Sequence, residues 1–213
     1  MRKFLVSIAL TVFATFAGFA DDTSKFGQFI GHLDLRMNGD GLTAVLLAPF
    51  GYMDPTGKRW ETPVGWKVDG ASIPWPLWSI IGSPWTGKYR EASVIHDYYC
   101  DTRTEPWQAV HKTFYTAMLA NGVDDLQAKI MYIAVYRFGP RWDFDYTPQC
   151  PNCLTVPYHV DKFTPAFDEQ EFDSLKSRLE TGELSVDQAK VESDAAFSDQ
   201  IKTLEIGKPI LLR

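Results

Sequence analysis

Arg90-Glu91-Ala92-Ser93-Val94-Ile95-His96-Asp97-Tyr98-Tyr99-Cys100-Asp101 is the stretch that decides how the chain is read. It reads as a helix and sets an adjacent imidazole and carboxylate among apolar and aromatic residues. Burying a charge without a partner is expensive, so such a pair marks either chemistry or a satisfied polar contact. Successive residues on a helix point about 100° apart. His96 therefore shares a stripe with Ser93 and Cys100, and Asp97 shares one with Ser93 and Asp101. One stripe offers a general base. The other offers two carboxylates, suited to a hard cation or to orienting a partner group.

Helices continue on both sides of this run. Ser72 caps a short helix over Pro74–Ile81, closed by Gly82. Thr104-Glu105-Pro106 opens a helix through Trp107, His111, Phe114, Tyr115 and Met118, ended by Asn121-Gly122. Asp124 and Gln127 form a capping box before a third helix through Met131, Val135 and Phe138, stopped at Gly139. Short loops make these neighbours antiparallel, which brings His111 toward His96 or Asp97. A His, Asp, His cluster is of metal-site type.

Upstream the period changes to two. Phe29, Gly31, Leu33 and Leu35 alternate through Phe26–Arg36, and Leu42–Pro49 is a second apolar strand. Asp54-Pro55-Thr56-Gly57 is a hairpin turn between Phe50-Gly51-Tyr52 and Arg59-Trp60-Glu61, and Trp66-Lys67-Val68 is a short strand. The expected fold is α+β, a small antiparallel sheet of four or five strands over 26–68, packed on a helical bundle over 73–139. Downstream, Thr164–Arg213 holds 11 acidic and 6 basic residues and no Trp. Thr164-Pro165 and Ser185 each cap an amphipathic helix there, so 161–213 reads as an acidic helical tail on a domain spanning 21–160, with a surface open to a partner protein.

Residues 1–20 read as a cleavable leader. Arg2 and Lys3 precede the apolar run Phe4–Phe16, too short for a comfortable membrane span, and small residues close at Ala20. The expected location is periplasmic or secreted, with no transmembrane span. Without the leader, 19 basic residues face 27 acidic ones, a net charge of −8. That charge argues against a nucleic-acid partner. In an exported chain Cys150-Pro151-Asn152-Cys153 is first a disulfide, with zinc (His159 assisting) and redox chemistry as the other readings. Cys100 is then the leftover thiol.

The ordered motifs Asp69-Gly70-Ala71-Ser72-Ile73-Pro74, Trp78, Gly82-Ser83-Pro84, Tyr89-Arg90-Glu91-Ala92, His96-Asp97 and Phe114-Tyr115 resemble the phage and bacterial family of unknown function numbered 1353. The resemblance runs from about Phe29 to Gly139. It implies a fold and directs attention to Asp69, Ser72, His96 and Asp97. Locally, Ala92-x-x-x-His96-Asp97 is also similar to the bacterial secreted phospholipases A2. That likeness implies His96 as the base that activates water and Asp97 as a calcium ligand, with Cys100 standing where those enzymes carry Tyr. The resulting expectation is an exported hydrolase of an envelope ester or amide, from lipid or peptidoglycan. His96, Asp97 and His111 are its catalytic groups, and a divalent cation, calcium or zinc, is held among Asp97, Asp69, Asp101 and His111. The alternative is a non-catalytic envelope-binding module in which the His-Asp pair is structural.

Overall fold

The computed structural model describes residues 23–70, 85, 87–142, 144–145, 158–159 and 163–206. Alternating burial defines its strands. In β5 (Arg59–Thr62), Trp60 and Thr62 are buried and Arg59 and Glu61 face outward. β4 (Phe50–Met53) pairs antiparallel with β5, Phe50 opposite Thr62 and Met53 opposite Arg59. The expected hairpin turn joins them. Asp54 Oδ1 accepts from the backbone N–H of Thr56 and Lys58 at 2.8 and 3.1 Å, and Gly57 takes φ 87°. β1 (Gln28–Ile30) lies on the far side of β4, giving the order β1-β4-β5. β2 (Leu35–Met37), β3 (Ala44–Leu46) and β6 (Lys67–Val68) make a second antiparallel sheet in the order β2-β3-β6.

The one sheet expected over 26–68 is therefore two sheets of three strands. Gly31 is the reason. It adopts φ 84°, a left-handed conformation that interrupts the extended run Phe26–Arg36. The residues before it join one sheet and those after it join the other. A two-stranded ribbon of β7 (Phe144–Asp145) and β8 (Tyr158–His159) comes later in the chain.

Five α-helices and a 3-10 turn at Thr23–Phe26 complete the described residues, and the fold is α+β. The first, α1, is Arg90–Thr102, over the stretch read as a helix. α2 is Trp107–Ala120 and α3 is Asp125–Phe138. They alternate in direction. Asn121, closing α2, donates to Glu91 in the first turn of α1 at 2.7 Å, while Trp107 at the start of α2 meets Tyr136 near the end of α3, ring centroids 5.0 Å apart. Asp124 caps α3, its side chain accepting from the N–H of Leu126 and Gln127. Asp124→Ala removes both bonds and is expected to cost about 1 kcal/mol, read as a lower urea midpoint at unchanged slope. Gly139 ends α3, and a Cβ there would meet the Val135 carbonyl oxygen at 2.2 Å.

α4 (Glu169–Glu180) and α5 (Val186–Ile206) pack against α3. α4 begins later than Thr164-Pro165 implies, because Asp168 is the residue whose side chain caps it. Ser185 and Gln188 form the expected reciprocal cap before α5. The contact with α3 is part of the main core: Phe172, Leu175 and Leu179 of α4 and Ala189 of α5 are buried. Arg137 grips Glu171 with two parallel hydrogen bonds of 2.6 and 2.8 Å. Tyr136 and Arg141 both donate to Asp194. Among the described residues no helix is long and apolar enough to cross a membrane.

Candidate functional site

α1 sends its polar side chains in three directions. His96 points to α2, where its Nε2 lies 2.8 Å from Nδ1 of His111. His111 Nε2 lies 3.1 Å from the carbonyl oxygen of Pro140. A carbonyl only accepts, so His111 carries its proton on Nε2, its Nδ1 is the acceptor, and His96 donates through Nε2. The chain His96→His111→Pro140 thus fixes the His111 tautomer and places a proton on His96 Nε2. Burial, and then the neighbouring His96, hold His111 well below the ordinary imidazole value, so it is the neutral ring that this arrangement requires. Phe114 lies against His96 and Trp107 against His111, with centroids 4.8 and 5.5 Å away. His96 is 1% exposed and His111 0%.

Cys100 lies one turn after His96. Its Sγ is 3.6 Å from His96 Nε2 and 3.7 Å from Nδ1. Near-equal distances put the sulfur on the midline of the ring, off the lone-pair direction of either nitrogen. A thiol deprotonated by an imidazole lies along one of those directions.

Asp97 turns away from the imidazoles, as the helical angle requires. Its Oδ2 accepts from the backbone N–H of Asp69 at 3.1 Å and of Gly70 at 2.7 Å. Gly70 adopts φ 103°, which lets two successive N–H groups face one oxygen. Burial first, and the nearby Asp69 second, hold the Asp97 carboxyl well above the ordinary carboxylate range. The side chain is 2% exposed. It anchors the chain that leaves β6 onto α1.

The third direction faces β5. Tyr98 and Tyr99 line an open cleft of about 610 Å³ with Ile30, Phe50, Val64 and the Arg59–Glu61 ion pair. Tyr99 packs edge-on against Trp60, and its hydroxyl accepts the Glu61 backbone N–H at 3.1 Å. Tyr98 packs edge-on against Trp66.

The structure thus joins His96 to His111, as the antiparallel pairing predicts, and adds Cys100 to them. Among the described residues these three are the His, Cys, Asp or Glu side chains grouped closely enough to hold a metal. Asp97 is tied to the 69–70 turn, and Asp69 and Asp101 are exposed on a shallow groove with Lys67 and Thr43. The acids expected as ligands do not join the imidazoles in that group. Ser72, Cys150 and Cys153 lie outside the described residues. Sequence reasoning placed Cys100 on the His96 stripe but missed its place beside two imidazoles. The signal was present in the four-residue spacing of His96 and Cys100. The Pro140 carbonyl and the Arg59–Glu61 cleft depend on long-range packing and leave no local mark.

Fold and site together define an α+β protein with an enclosed imidazole pair bridging two helices beneath small sheets. The family described as "Protein of unknown function (DUF1353)" matches residues 44–135, a span that runs from β3 into α3 and includes His96, Cys100 and His111. The chain is 34% identical over 203 residues to Uncharacterized protein y4iH of Sinorhizobium fredii, covering 93% of this chain and 84% of that one. It is 49% identical over 134 residues to Uncharacterized protein y4jT of the same organism, covering 60% of this chain and 40% of that one. No solved structure matches. The chain belongs to the DUF1353 family.

Proposed function

We propose that the protein is a non-catalytic binding module whose cleft between β5 and α1 takes a glycan-type ligand of the cell envelope. The observation that carries this reading is the contrast between two faces of α1. On one face His96 and His111 are enclosed and bonded to each other. On the other, Tyr98 and Tyr99 line open space. A general base acts only within hydrogen-bond reach of the group it deprotonates, and side chains 0–2% exposed offer no such approach. The cleft has the mixed chemistry a sugar needs: aromatic side chains for its C–H faces, and Arg59 and Glu61 for its hydroxyls. The envelope as the source of the ligand rests on the leader read in residues 1–20. Asp97 serves this module as a latch.

Calorimetric titration of the full chain with soluble peptidoglycan fragments tests the reading. Saturable binding without turnover is expected. Tyr98→Ala and Arg59→Ala should each weaken it by roughly fivefold to tenfold, about 1–1.4 kcal/mol, at an unchanged melting temperature for the exposed Arg59. Cleavage of the fragments by the purified chain would restore the hydrolase reading, with His96 as base.

A further inference from the structure

We infer that His96, Cys100 and His111 are the protein ligands of a zinc-type transition-metal ion bound between α1 and α2. A ring nitrogen of His96, Cys100 Sγ and a ring nitrogen of His111 lie within 4.8 Å of one another. A tetrahedral ion with bonds of about 2.0–2.3 Å sets sulfur about 3.6 Å from nitrogen and two nitrogens about 3.3 Å apart. Cys100 Sγ already stands 3.6 Å from His96 Nε2. The His96–His111 pair, at 2.8 Å, needs to open by only about half an ångström to exchange its hydrogen bond for two metal bonds.

The His111 ring is prepared for this role. Its Nε2–H is anchored on the Pro140 carbonyl, leaving the Nδ1 lone pair aimed at His96. An outer hydrogen bond of that kind is how metal-binding imidazoles are oriented. Two imidazoles and a thiolate select zinc or copper over calcium, which takes oxygen ligands. On binding, the Cys100 thiol gives its proton to solvent as the S–metal bond forms. His96 releases its Nε2 proton, to its own Nδ1 or to solvent, as that nitrogen ligates. Three protein ligands leave the fourth corner of the tetrahedron to a ligand from outside this set.

The chain has three cysteines, so Cys150→Ser with Cys153→Ser leaves Cys100 as its one thiol. This full-length double variant, stripped with chelator and titrated with cobalt(II) and then zinc(II), is the test. One ion per chain and a thiolate-to-cobalt charge-transfer band are expected. Adding Cys100→Ser should abolish the band, and His111→Gln should weaken zinc binding by about 100-fold or more. Circular dichroism checks that each variant is folded. Where Cys100→Ser does not fold, the melting temperature of the Cys100-only chain decides, since chelator should lower it. A folded Cys100-only chain that takes up no cobalt, shows no charge-transfer band, or melts alike with and without chelator overturns the inference. So does equal uptake by folded Cys100→Ser.

Discussion

Asp97→Ala is expected to lower stability by about 2–4 kcal/mol, whereas Asp97→Asn should stay within about 1 kcal/mol of the native chain. The alanine strips the acceptor from two backbone N–H groups, and that of Gly70 is buried. A buried donor left without an acceptor costs far more than the net worth of the bond it made. Asparagine keeps an oxygen for both N–H groups and brings no charge. Acidity separates the two further. The folded carboxyl is held well above the value of 3.8 that an ordinary aspartate has. A group raised in this way contributes stability that is fully present below the unfolded value and is lost as pH rises through the folded value. The asparagine variant lacks that dependence, so its stability relative to the native chain should improve as pH rises through this window. Urea unfolding of the three proteins from pH 4 upward checks both points. An alanine variant as stable as the asparagine one would remove the latch from the account.

Phe172→Ala is expected to cost about 3–5 kcal/mol, the larger of the two effects. Phe172 is 1% exposed and completes a three-ring cluster with Phe138 and Phe167, with centroids 6.5 and 6.0 Å away. Its removal leaves a void at the seam between α3 and α4. The Arg137–Glu171 fork beside it cannot compensate, because Glu171 is itself half-buried and its geometry follows that of the helix. Limited proteolysis should cut first in 163–206 in this variant, at protease levels the native chain withstands. A variant that is destabilised yet cleaved only at the native sites would show that α4 and α5 do not open separately.

The sequence was most readable where a local chemical signal sets a boundary. Asp54–Gly57 turns the β4–β5 hairpin, Asp124 opens α3, Asn121-Gly122 closes α2, and Ser185 with Gln188 caps α5. Each depends on residues within a few positions of one another. The split into two sheets was not readable, because the alternation through Phe26–Arg36 continues across Gly31 and only its φ reveals the break. At the site, helical geometry correctly separated His96 from Asp97 and brought His111 close. Whether the helix faces were wet or dry depended on what packs over them. Phe114, Trp107 and the Pro140 carbonyl come from elsewhere in the chain, and no periodicity in 90–101 records them.

The Tyr99 hydroxyl does more than line a cleft. β5 is the outermost strand of its sheet, and an outward N–H on such a strand invites another chain to add itself there. By accepting the Glu61 N–H, Tyr99 stoppers that position with a side chain from a helix. One phenol thereby closes the Glu61 position of that edge to an added strand.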